Sequence, residues 1–308
     1  MLAEPSLATG IRGWVRAQTS AGPSRIRPYL FLLPSLAFLG VFTYYPIFRS
    51  AHLSLYRWNV QTPVREYVGV DNFSALLHSQ LFWKVMGNTA FFSAGSVGMS
   101  LAIALTLALV LNRKMQFRAF YRAAFFYPTI IPMVAASVIW VWIFSDNGPL
   151  NTYLGRLGFS RIGWLTDPAS VLPSLILMAM WKNVGYYVII FLAGLQNIPD
   201  YLYEAALIEG ASPAHRLRYV TLPLLAPTTF FVFVITVITS FQVFTQVYMM
   251  TDGGPADATN VVVFQIYQLA FRFWDIGMAS TLTCVLIVIL LGAVICFFWS
   301  LERRIHYQ

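Results

Sequence analysis

The chain has 308 residues, 58% hydrophobic and 10% charged, with a mean hydropathy of +0.66 and a formal net charge of +8. Soluble domains carry about 25% charged residues, so this composition excludes one and marks an integral membrane protein. The basic excess flanks apolar spans, so topology accounts for it and no nucleic-acid partner is expected.

The first 27 residues lack a short apolar core followed by a small-residue cleavage site. No removable signal peptide is expected there, and 1–27 reads as a cytosolic tail. About 20 apolar residues are needed to cross a hydrocarbon core about 30 Å thick. Windows of that kind run from Pro28 to Phe48, Val85 to Asn112, Ala123 to Ser145, Val171 to Gln196, Tyr219 to Thr251 and Ile276 to Leu301. Only the fourth is interrupted by a charge, Lys182. An all-α membrane protein with six transmembrane helices in one domain, 28–301, is expected, followed by a short tail, 302–308.

Between spans one and two, Ala51 to Trp83 mixes aromatic and polar residues around Gly69-Val70-Asp71-Asn72-Phe73. Asp146-Asn147-Gly148-Pro149 opens the next outer loop with a turn, and Asp252-Gly253-Gly254-Pro255 opens the third. With the N-terminus inside, twelve lysines and arginines fall in inner segments and seven in outer ones. Positive charge accumulates on the cytoplasmic side, so both termini and the segment 197–225 are expected there.

That segment reads as two short helices. Pro199-Asp200 begins one, Glu204 to Glu209 continues it, and Gly210 closes it in a left-handed cap. Ser212-Pro213 begins a second, which is expected to end before Leu222-Pro223. Pro128 and Pro132 in span three and Gly185 in span four either bend their helices or serve packing.

The sequence carries no signature of catalytic chemistry. The sequence holds no phosphate-binding Gly-x-x-x-x-Gly-Lys-Ser/Thr loop, no His-Glu-x-x-His and no Gly-x-Ser-x-Gly elbow. The four histidines, His52, His78, His215 and His306, are expected in loops or tails as solvated side chains. Cys284 and Cys296 sit twelve residues apart on the last span, about 18 Å along a helix, too far to bridge. All twelve acidic residues lie in connections, tails or span ends. An ion-coupled carrier usually keeps carboxylates within the membrane, and a membrane-embedded enzyme needs a His, Cys or carboxylate cluster, so both readings fall behind.

A substrate path needs polar side chains facing the bundle interior. Span five offers Thr239, Gln242 and Gln246 at i, i+3 and i+7, with Ser240 and Thr245 beside them. Span four offers Trp181, Lys182, Asn183, Tyr186 and Tyr187. Aromatic faces stack on sugar rings and amides bond hydroxyls. The same polar groups can also do no more than tie neighbouring helices together.

Glu204-Ala205-Ala206, Gly210, Val220 and Leu222-Pro223 together resemble the EAA signature of binding-protein-dependent ABC importer permeases. Val220 replaces the usual isoleucine, a conservative departure. Trp181, Gly185 and Tyr186 before Leu192-Ala193-Gly194-Leu195-Gln196, and later Thr251-Asp252-Gly253-Gly254-Pro255, extend the likeness to the sugar and glycerol-3-phosphate branch, which includes the maltose-type permeases. The resemblance implies the type I importer permease fold, with a coupling helix that inserts into a groove on an ATPase subunit. Glu204, Ala205, Ala206, Gly210, Leu222 and Pro223 then form the docking surface, and closure of two ATPases around ATP swings the membrane helices.

It also implies a bacterial or archaeal cytoplasmic membrane, a second permease chain, two ATPase subunits and an external solute-binding protein. ATP and Mg would sit on the ATPases, with no cofactor on this chain. Outer acidic and basic residues are equal in number, seven each, so no positively charged funnel is evident. An uncharged sugar is therefore expected ahead of glycerol-3-phosphate or a glycerophosphodiester.

Overall fold

The structure, a computed structural model, describes residues 27–62, 64–113 and 115–302. The tails expected over 1–27 and 302–308 lie outside these residues except at Arg27 and Glu302, which are already helical. Two compact units divide at His52. The first holds α1 (Arg27–Leu39), one π-helical turn (Gly40–Tyr44) and nearly all of α2 (Tyr45–Leu53), which run together as an apolar stretch of 25 residues, Tyr29–Leu53.

The second unit opens with a two-stranded antiparallel ribbon, β1 (Tyr56–Arg57) and β2 (Glu66–Tyr67), followed by the short helix α3 (Asp71–His78). Asn72 on α3 is buried and donates to the Ser54 and Tyr56 carbonyls at 2.8 and 3.0 Å, which fastens the connection between the first two spans to its own start. The long helix α4 (Gln80–Leu111) begins at Ser79, whose hydroxyl accepts from the Phe82 amide.

Span three is broken into α5 (Arg118–Ile130) and α6 (Met133–Ile143), bent by 99°. The cause is Pro132, which lacks an N–H and forces Ile131 into an extended conformation (ψ 131°). The expected continuous helix from Ala123 to Ser145 is thus corrected. Next come α7 (Pro149–Arg156) and α8 (Pro168–Gln196), which Asp167 caps by accepting from the Ala169 amide. Gly185 does not bend α8. A Cβ there would meet the Phe125 carbonyl oxygen and lie 2.9 Å from Phe126 Cα, so glycine lets the α5 backbone cross in contact.

After α9 (Asp200–Ile208), α10 (Pro213–Arg216) continues through a π turn (Leu217–Thr221) into α11 (Leu222–Leu224). The second short helix therefore passes through Pro223 instead of ending before it. The wide turn bonds the Leu222 amide to the Leu217 carbonyl, five residues back, which relieves the clash a proline causes in a regular helix. A 64° bend then leads into α12 (Ala226–Phe241). Gln242 to Phe244 are not helical, and α13 (Thr245–Met250) is a separate piece, so the expected span Tyr219–Thr251 is broken twice.

The chain closes with α14 (Val262–Tyr267), a π turn (Gln268–Arg272) and α15 (Ile276–Glu302). Among the described residues four helices are continuous, long and apolar enough to cross a membrane, and six spans result when each bent pair counts as one. Of the described histidines, His52 and His78 end short helices and His215 lies in another, so the loop placement does not hold for them.

The core follows α8, the most buried of the long helices. Around its first half Leu175, Ile176 and Met178 pack with Phe92, Phe144, Val247 and Phe264. Around its second half Val188 and Phe191 pack with Ala104, Ala108, Leu225 and Val232. Small residues on α4 let the two helices approach closely, as membrane helices favour. A third cluster joins Phe82 and Val85 of α4 to Val262, Leu282 and Leu286.

Candidate functional site: a polar cavity and an exposed helix pair

Between α4, α8, α12 and α13 lies a cavity of about 240 Å³. Asn183 and Tyr187 reach it from α8, Thr239 and Ser240 from α12, Gln242 from the break, and Thr245 and Gln246 from α13. The non-helical residues 242–244 mean that Thr239, Gln242 and Gln246 do not share one helical face, yet the break turns all three toward the same space. No charged side chain lines it.

Most lining hydroxyls are tied back to their own helices. Thr236 donates to Val232 O, Thr239 to Ile235 O and Ser240 to Val237 O, between 2.6 and 2.9 Å. Asn183 donates to Ala179 O at 3.0 Å, and Tyr187 meets the Thr239 hydroxyl at 3.4 Å. Such bonds use the hydroxyl protons and leave oxygen lone pairs facing the cavity. Gln246 differs. It is 3% exposed and its Nε2 has no hydrogen-bond partner, so it holds unused donors at the wall.

Three of the expected path residues are placed elsewhere. Trp181 packs edge-on against Trp140, with ring centroids 5.4 Å apart. Tyr186 lies on an exposed face and contributes nothing to the lining. Lys182, 6% exposed, donates from Nζ to the Thr129 carbonyl at 2.8 Å, while the Thr129 hydroxyl donates to the Lys182 carbonyl at 3.2 Å. Thr129 sits in the last turn of α5, where the bend removes the next helical amides. A cation capping those carbonyls suits the negative end of the helix dipole.

Phe92, Ser96 and Ser100 of α4 also line the cavity and were not anticipated. Their spacing of i, i+4 and i+8, which puts them on one face of the helix, is the signal that identifies them.

At the far end of α8 the segment 197–225 forms the second feature. Gly210 adopts φ +75°, with its amide bonded to Leu207 O and the Ala211 amide to Ala206 O, the Schellman arrangement of a left-handed cap. Pro199 rather than Asp200 occupies the position before α9, and Asp200 sits in the first turn beside the positive end of the helix. Ser212 accepts from the His215 amide and starts α10. Glu204, Ala205, Leu222 and Pro223 are exposed, as are the apolar Leu207 and Ile208, the latter at 88%. The helix pair is held at its base by the Tyr203 and Thr221 hydroxyls, 3.1 Å apart.

The family model described as binding-protein-dependent transport system inner membrane component matches residues 96–305, which hold the helix pair and all of the cavity lining but Phe92. The chain belongs to this family. It is 34% identical over 287 residues to the lactose transport system permease protein of Rhizobium radiobacter, covering 91% of this chain and 95% of the relative. It is 32% identical over 294 residues to the sn-glycerol-3-phosphate transport system permease protein of Agrobacterium fabrum, covering 94% and 99%. A solved bacterial alginate ABC transporter, in complex with an alginate pentasaccharide-bound periplasmic protein, superposes with a TM-score of 0.80. That likeness is at 25% identity and spans 89% of this chain and 93% of the other. The chain is therefore a multi-pass permease subunit of the ABC importer class with the type I fold, as the signature around Glu204 and Gly210 implied.

Proposed function

We propose that this permease forms, with a second similar chain, the path by which an uncharged sugar crosses the cytoplasmic membrane. The observation that carries this reading is the cavity wall. It offers amide and hydroxyl groups, an unpartnered Gln246 donor and the ring of Tyr187, with no charge to hold a phosphate. Hydroxyl-rich solutes need such bidirectional partners. Lys182, the cation that could have favoured glycerol-3-phosphate, is spent on the Thr129 carbonyl.

In this reading an external solute-binding protein delivers the sugar and two ATPase subunits drive the cycle, holding ATP and Mg themselves. This chain is non-catalytic and carries no cofactor. Glu204, Ala205, Ala206 and Gly210, with Leu222 and Pro223, form the ATPase-docking surface; the exposure of Leu207 and Ile208 beside them supports this, because apolar groups outside the membrane gain from a partner. Both termini then lie in the cytoplasm, a reading that the arginine-rich connections support.

The deciding experiment reconstitutes the complex and follows ATP hydrolysis while adding binding protein loaded with single solutes. Stimulation by a neutral sugar is the expected result. Stimulation by glycerol-3-phosphate alone would transfer the reading to that solute, and an assembly without any associated ATPase would overturn it.

A further inference from the structure

The start of α5 concentrates positive charge that nothing in the described chain neutralises. Arg118 and Arg122 lie four residues apart, on one face of the helix. With its amide oriented to present oxygen, Gln196 accepts from Arg122 Nη2 at 2.9 Å and from Arg118 Nη2 at 3.1 Å. Both guanidinium groups thus converge on one neutral oxygen. Their Nε atoms are buried without a hydrogen-bond partner. Among the described residues no carboxylate lies within ion-pair distance of either; the ion pairs found are Arg57–Glu66 and Arg272–Asp252.

The helix end adds to the imbalance. Phe117 stands before α5 in the left-handed region (φ 59°) and provides no side-chain cap, and the first helical hydrogen bond runs from the Tyr121 amide to Phe117 O. A helix start carries roughly +0.5 charge, and the facing α8 end, where Gln196 is the last residue, roughly −0.5. These partial charges cancel and leave two full positive charges. Two half-buried guanidinium groups that share one neutral oxygen still present charge and free fork donors, and these call for an anion.

The surroundings indicate its source. Phe117 and Phe120 beside the arginines expose most of their rings, and Tyr121 is exposed as well. Aromatic rings next to arginine at the end of a membrane helix are the composition of the headgroup layer, where guanidinium forks grip phosphate. We propose that Arg118 and Arg122 form a phosphate-binding site at the start of α5, filled by the headgroup of an anionic phospholipid. The site is independent of the transported solute.

The test uses the purified transporter complex in phosphatidylcholine nanodiscs titrated with phosphatidylglycerol, counting retained lipids by native mass spectrometry. The wild type is expected to keep one phosphatidylglycerol per copy of this chain in preference to phosphatidylcholine. Arg118→Gln and Arg122→Gln should each weaken that retention on the order of fivefold, and the pair on the order of twenty-fivefold. Arg118→Lys with Arg122→Lys should retain most of the preference, because the charge survives. The single variants carry the test if the double variant fails to assemble. Equal retention in wild type and single variants would overturn the proposal. Titration with inorganic phosphate in pure phosphatidylcholine separates the two phosphate sources: binding there without any lipid preference would overturn the lipid assignment. Loss of a subunit with an unchanged lipid count would overturn it in favour of a partner's carboxylate.

Discussion

The polar cavity and the exposed helix pair use polar residues in opposite ways. Around the cavity, polar side chains sit among buried Phe92, Val243 and Val247, and the hydroxyls of Ser96, Thr236, Thr239 and Ser240 are bonded back to their own helices. In the 197–225 segment the polar groups cap helix ends while apolar side chains, Ile208 foremost, face outward. One region ties much of its polarity back to its own helices and keeps a buried amide donor free at Gln246, and the other is shaped but uncovered. The contrast separates an enclosed polar surface, of the kind that suits a small solute, from an exposed apolar one, of the kind that suits a macromolecular partner.

The comparison is broken most completely by Gly185→Leu. The new side chain meets the α5 backbone at Phe125 and Phe126, which cannot move without opening the Lys182–Thr129 pair. Overpacking against backbone costs about 3 kcal/mol or more. No folded complex is expected in detergent extracts by size-exclusion chromatography, and normal recovery would show that α5 and α8 need not touch. Glu204→Lys comes next and acts on the other region alone. It leaves α9 folded, since the side chain is exposed, but reverses the charge on the proposed docking surface. Loss of solute-stimulated ATP hydrolysis by at least tenfold is expected with the permease still in the membrane; unchanged coupling would remove Glu204 from the docking surface.

How much of this was readable beforehand depends on the range of the governing interaction. The Gly210 cap was readable because it is set by one residue and its immediate amides. The left-handed turn at φ +75° depends on nothing distant. The bends at Ile131–Pro132 and after Leu224 were signalled by prolines but not by their angles, which neighbouring helices determine. The bond of Lys182 was not legible for the same reason: its partner, Thr129, is 53 residues away, and only the crossing of α5 at Gly185 brings the two together. The gap at Gln242–Phe244 carries no glycine or proline, so its sequence gives no warning.

On the cavity side the informative variant is Gln246→Leu. A glutamine kept for structure would have both ends of its amide paired, and its removal would destabilise the chain. The Gln246 Nε2 has no partner, so leucine of similar size removes a buried unsatisfied donor. Thermal stability should stay level or rise, while a lost hydrogen bond to solute, about 1 kcal/mol, lowers affinity roughly fivefold in uptake assays. A fall in stability with unchanged affinity would return Gln246 to helix packing.

Lys182→Met has the smallest expected effect, and it separates the cavity from its supports. Methionine fills the same apolar slot between α5 and α8 but leaves the Thr129 carbonyl without its cap. A capping interaction at a helix end is worth about 1 kcal/mol, so a small drop in melting temperature is expected. Solute selectivity should not change, because no part of Lys182 faces the cavity. If the variant instead lost transport of a phosphorylated solute while keeping its stability, the lysine would be a ligand-binding cation that reaches the path in another state of the cycle. The two measurements together therefore decide whether the charge at the centre of α8 stabilises the bend or serves the solute.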